Sequence, residues 1–175
     1  MQPAAVVLHG PTSAGKSSLA RALQNSAPVP AFHVTLDAFV TMSRRRDMRT
    51  PEEQREAYHL HCENLRSTLA RLVDTPFEIL VDLVLREEAE LRDTLSVISV
   101  RPMYLVGVRA PVAVLEERER RREDRATGMA REQSANPAFS RDYDLVIDTS
   151  TYSPEEGAVA IRRFVLDHPR HGQDV

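Results

Sequence analysis

The 175-residue chain has one cysteine, no tryptophan, six glycines and a single lysine. One cysteine, Cys62, excludes an intramolecular disulfide and fits a reducing, cytoplasmic setting. No apolar run approaches the ~20 residues of a membrane span. No basic stretch precedes the apolar run at the N-terminus, so a signal peptide is not expected either. Positive charge is not in excess: 23 Lys plus Arg stand against 26 Asp plus Glu, for a net −3. That balance argues against a sequence-independent nucleic-acid binder, although it leaves room for a local basic strip. No internal repeat or low-complexity linker divides the chain. With 42% hydrophobic and 28% charged residues, one globular domain over residues 1–175 is expected.

The scarcity of lysine matters because of where the one lysine stands. Lys16 lies in Gly10-Pro-Thr-Ser-Ala-Gly-Lys-Ser17, a G-x-x-x-x-G-K-[ST] phosphate-binding loop. The loop follows an apolar run, Ala4–Leu8, and precedes an amphipathic one, as a strand–loop–helix unit requires. Glycines let the backbone bend so that successive N–H groups face phosphate oxygens, and the helix starting near Gly15 adds its positive dipole end. The candidate nucleotide-binding set is Gly10, Thr12, Ser13, Ala14, Gly15, Lys16, Ser17 and Ser18. Lys16 reaches the β- and γ-phosphates, and the Ser17 hydroxyl is a candidate Mg²⁺ ligand. A compact ammonium on a flexible stem suits that position where a planar guanidinium does not.

Further along, strands are expected near residues 31–36, 77–82, 102–107 and 143–148, alternating with helices. Thr50-Pro51-Glu52-Glu53 and Ser153-Pro154-Glu155-Glu156 are capping boxes with proline at the first helical position. The sum is a three-layer α/β/α fold around a five-stranded parallel sheet with right-handed crossovers. This is the P-loop NTPase plan of nucleotide and shikimate kinases, with a lid after strand 4.

Asp37 ends the second strand, at the sheet edge where ligands collect. It is either a base for a substrate hydroxyl or the N-cap of a helix over 38–43. Asp82 ends the third strand in the position of a Walker B carboxylate, holding Mg²⁺ through water, or simply caps that strand. Residues 38–75 form an acceptor-side helical region. In it, Arg44–Arg46 and Arg49, with Met42 and Met48, read as an acceptor flap or as a solvated basic turn. His59, His61 and Cys62 diverge around a helix too widely to share a metal. The charge run 116–125 reads as a solvated helix face or as a lid over 116–135. Arg118, Arg122 and Arg125 share one helical face there, suited to clamping a transferred phosphoryl group.

The chain resembles the chloramphenicol phosphotransferases. The residues that carry the likeness are Ser13-Ala-Gly-Lys-Ser17, Leu36-Asp37-Ala38-Phe39, and Val106-Gly-Val-Arg109. Glu116, Arg118, Glu119, Arg122, Asp124-Arg125, Gly128-Met129-Ala130, Gln133, Tyr143-Asp144 and Asp148-Thr149 extend it. It covers residues 4–40 and 104–150. Pro137-Ala138 departs from the family's pattern, Leu83 stands where a second aspartate would, and residues 41–75 align poorly. The resemblance implies a kinase that uses ATP and Mg²⁺, with Asp37 as catalytic aspartate and a small hydroxylated acceptor, such as an antibiotic. A nucleoside, another metabolite or an RNA end would use the same core, and a non-catalytic ATP-binding module would share the loop. A homo-oligomer is compatible with all of these readings.

Overall fold

The apolar run before the glycine loop forms β1 (Ala5–His9), and all five residues are buried. Burial on both faces is expected of a central strand in a parallel sheet. The computed structural model describes residues 3–43, 48–121 and 128–170. Arg44–Arg46 and the lid candidates Arg122 and Arg125 lie outside the described residues. β1 pairs in parallel with β3 (Glu78–Leu83) on one side and β4 (Met103–Arg109) on the other. β2 (Ala31–Thr35) and β5 (Leu145–Asp148) close the edges, giving the order β2-β3-β1-β4-β5. The glycine loop therefore leaves the middle of the sheet, with the carboxyl ends of all other strands beside it.

Alternation along the strands divides the core into two layers. Val6, Leu8, Leu80, Val106 and Val108 pack with α1 (Lys16–Asn25) and α7 (Pro154–Asp167). Ala5, Val7, Ile79, Val81 and Leu83 pack with α3 (Pro51–Leu72) and α4 (Glu88–Ile98). α3 buries Cys62, Leu65 and Leu69 on one face. Both expected capping boxes form: Thr50 with Glu53, and Ser153 with Glu156. Each such cap contributes about 1 kcal/mol. α5 (Val112–Arg120) and α6 (Met129–Ser134) flank residues 122–127.

The end of the second strand and the segment after the charge run differ most from expectation. β2 stops at Thr35, and Leu36–Val40 is a short helix, α2, with Thr35 in the N-cap position and Asp37 in the first turn. The apolar pair Val34 and Leu36 reads equally well as a continuing strand, and both side chains reach the same core. α6 and a 3₁₀ turn at Pro137–Phe139 follow the charge run, each too short for a periodic signal.

At the amino end of the sheet, Arg101 is only 1% exposed. Its Nε donates to the carbonyl of Pro3 at 2.9 Å, and its amino groups donate to the carbonyls of Leu72 at 3.4 Å and Phe77 at 3.1 Å. This buried cation gathers the starts of β1 and β3 and the end of α3.

Candidate active site

Backbone constraints shape the glycine loop. A Cβ on Gly10 would sit 2.2 Å from the carbonyl oxygen of Val108, so only glycine lets the loop leave β1 so close to β4. Gly15 has φ 89°, the left-handed region that glycine adopts without strain, and α1 begins at the next residue. Ser13 also has positive φ, 61°, a strained turn for a residue with a side chain.

The period-two rule places Asp82 on the same sheet face as Leu80, toward α1, whose second residue is Ser17. The Ser17 hydroxyl donates to Asp82 Oδ2 at 2.6 Å, and Lys16 Nζ lies 4.0 Å from Asp82 Oδ1. Lys16 Nζ also donates to the Pro11 carbonyl at 2.8 Å. Asp82 is 4% exposed. Burial alone would raise its pKa, but nearby His33, Lys16 and Ser17 together hold it below the usual carboxylate range. His33 Nε2 stands 3.8 Å from Asp82 Oδ2, beyond hydrogen-bond reach, and has no hydrogen-bond partner among the described residues. Asp37 is exposed and borders the same small cavity as Ser13, Lys16, Ser17 and Asp82. One cup of about 30 Å³ thus joins the loop, the lysine and both aspartates.

Arg118 lies on the outer side of the loop. It donates to Thr149 Oγ1 and to the Thr149 carbonyl, both at 2.8 Å, and Thr149 Oγ1 in turn donates to the Ala14 carbonyl at 2.8 Å. With Tyr152 and Pro154 these groups wall a second cavity of about 360 Å³, which shares Ser13, Gly15 and Ser18 with the first. As a clamp on the phosphate cup, the Arg118 guanidinium would have to leave Thr149.

A third cavity, about 390 Å³, opens between α2, α3 and the segment after β3. Val40, Met48 and Tyr58 line it beside His59, His61 and Arg86. The two histidines face different partners, as their helical spacing requires. His61 Nε2 meets Ser43 Oγ at 2.8 Å, and His59 Nδ1 meets Glu90 Oε1 at 3.0 Å. Burial pushes the Cys62 thiol up to about 11. It is therefore a packed thiol and no nucleophile at neutral pH.

Several side chains without an assigned role in the sequence converge on the loop. His9, fully buried, donates from Nε2 to the Leu85 carbonyl at 2.8 Å. Nδ1 must then accept from the Tyr143 hydroxyl, also at 2.8 Å. Burial, opposed by the Leu85 carbonyl and reinforced by Lys16 and Arg141, pushes His9 from 6.5 down to about 4. Between those values the unfolded chain binds a proton that the folded one does not, so stability falls as pH drops through this window. The loss amounts to about 3 kcal/mol at most. Denaturant melts from pH 7 to 4.5 should show that slope, and His9→Gln should flatten part of it. Identical slopes in the two proteins would refute the assignment. Only the position of His9, one residue before Gly10, hints at this role.

Residues 4–166 match the family described as chloramphenicol phosphotransferase-like protein. No curated protein matches the sequence. Among solved structures, the tunicamycin resistance protein of Deinococcus radiodurans is 16% identical, with a TM-score of 0.65 over 95% of each chain. The APS kinase of Mycobacterium tuberculosis, solved with AMPPNP and APS, is 16% identical, with a TM-score of 0.66 over 94% of this chain and 98% of that one. Shikimate kinase from Acinetobacter baumannii, in complex with shikimate, is 15% identical, with a TM-score of 0.62 over 95% and 94%. At these identities the structural likeness speaks to the fold. The family match spans nearly the whole domain that carries the loop, and the chain belongs to the chloramphenicol phosphotransferase-like family, built on the fold of the P-loop kinases.

Proposed function

We propose that the protein is an ATP- and Mg²⁺-dependent O-phosphotransferase that moves a γ-phosphoryl group to a hydroxyl of a small molecule. The observation that carries this reading is the single cup shared by Lys16, Ser17, Asp82 and Asp37. The loop amides after Thr12, whose own N–H is taken by Gln133, and Lys16 hold the triphosphate. The Ser17 hydroxyl and the ionised Asp82 are hard oxygen donors of the kind Mg²⁺ takes. Ser17 would ligate the ion directly, and Asp82 would hold one of its waters. The ion would supply positive charge against the β- and γ-phosphate oxygens.

The outer cavity by Arg118, Thr149 and Tyr152 suits the nucleoside, since Ser13, Gly15 and Ser18 line it and the cup alike. In this reading Arg118 supports the nucleoside side, and Arg122 and Arg125 of the lid close over the phosphates and exclude water. The acceptor lies in the 390 Å³ cavity, whose part-apolar, part-polar wall suits a ring-bearing hydroxylated molecule. Asp37 takes the hydroxyl proton while the acceptor oxygen bonds to the γ-phosphorus and ADP departs.

The family and the tunicamycin resistance neighbour make hydroxylated antibiotics, chloramphenicol among them, the first acceptors to try. ATP consumption by the purified protein should rise on adding at least one member of a panel of hydroxylated antibiotics and metabolites, with a phosphorylated product detectable by mass. ATP–Mg²⁺ binding without stimulation by any of them would favour a non-catalytic module instead.

A further inference from the structure

The Pro11–Thr12 peptide is held at both ends. Its carbonyl accepts from Lys16 Nζ at 2.8 Å, and its N–H donates to Gln133 Oε1 at 2.7 Å. The two groups of a planar trans peptide point in opposite directions, so fixing the N–H aims the carbonyl. Thr12 is 1% exposed and Gln133 4% exposed, which removes water as a competing partner. A hydrogen bond at the N–H also polarises the peptide and strengthens its carbonyl as an acceptor.

Gln133 is itself held in place. It lies on α6, whose entry is tied to α5 by Glu119, a carboxylate only 2% exposed. Glu119 accepts from the N–H groups of Gly128 at 2.8 Å and Ala130 at 3.0 Å.

We propose that Gln133 is a positioning residue for Lys16, acting through the Pro11–Thr12 peptide and linking the lid's return segment to the phosphate-binding lysine. The role in nucleotide binding rests on the kinase reading above, but the link itself is made by the chain's own groups and can be tested without nucleotide.

Lys16 is the only lysine, so selective ¹³Cε-lysine labelling yields one side-chain signal that reports it. Gln133→Met keeps the length of the side chain and removes its strong acceptor. Gln133→Glu keeps an accepting oxygen. In nucleotide-free protein the Lys16 methylene should be ordered in wild type and in Gln133→Glu, and mobile in Gln133→Met. Gln133→Asn, polar but one methylene short, makes the same test should the methionine variant not fold. A lysine as ordered in Gln133→Met or Gln133→Asn as in wild type would overturn the proposal.

With nucleotides, Gln133→Met should weaken AMPPNP–Mg²⁺ by about tenfold, the worth of one hydrogen bond. AMP, which lacks the phosphates Lys16 reaches, should change by less than about twofold. Equal loss for both would mark Gln133 as merely structural. If wild type binds neither nucleotide, the kinase reading fails while the lysine measurement still decides the link.

Discussion

Asp37→Asn should leave AMPPNP–Mg²⁺ binding within about twofold of wild type and lower phosphoryl transfer by about 10²- to 10⁴-fold. The substitution is nearly isosteric, and Asp37 is exposed in the first turn of α2, so folding is little affected. What changes is proton acceptance, because an amide cannot take the acceptor's proton at neutral pH. Asp37 lines the same cup as Lys16 and Asp82, as the proposed base must if it is to act beside the groups proposed to hold the phosphates. Calorimetry reports binding, and product formation with the acceptor found by the screen reports transfer. Transfer at the wild-type rate would reduce Asp37 to a helix residue.

Lys16→Ala should cost about 10³-fold or greater in turnover, because the triphosphate, as proposed, loses the ammonium that meets its β- and γ-phosphates. Lys16 is 5% exposed and close to Asp82, so its removal also leaves that buried carboxylate with less compensating charge. Lys16→Arg separates charge from shape. It keeps the cation but replaces a compact head with a fork in a cup of about 30 Å³, and it should stay well below wild type. Near-normal turnover in Lys16→Ala would remove the phosphate-binding assignment altogether.

The glycine loop is legible in the sequence because its constraints are local. A close approach at Gly10, a left-handed turn at Gly15 and a helix start each demand particular residue types within eight positions. The capping boxes are legible for the same reason. The partners of the loop are not, because they arrive from distant segments whose meeting depends on strand order. His33 reaches Asp82 only because β2 lies beside β3, and Gln133 reaches Thr12 only because α6 folds back over the loop. Glu119 shows the limit of pattern reading most clearly. Within a run of charges it looks like one more solvated residue, yet it is buried and satisfies two backbone amides. Likewise, the helical face expected for Arg118, Arg122 and Arg125 does not reveal that Thr149 engages Arg118.

Arg101, at the far end of the sheet from the phosphate cup, acts as a coincidence detector in folding. Its acceptors are backbone carbonyls of Pro3, Leu72 and Phe77, far from it in sequence, and no carboxylate bonds it directly among the described residues. A guanidinium out of water with an acceptor missing costs several kcal/mol. A partly assembled chain lacking β1, the end of α3 or the start of β3 carries that cost, and only the complete arrangement relieves it. The residue thereby raises the free energy of states in which one segment has come away. Opening any of these segments at this pole therefore breaks bonds to the same guanidinium.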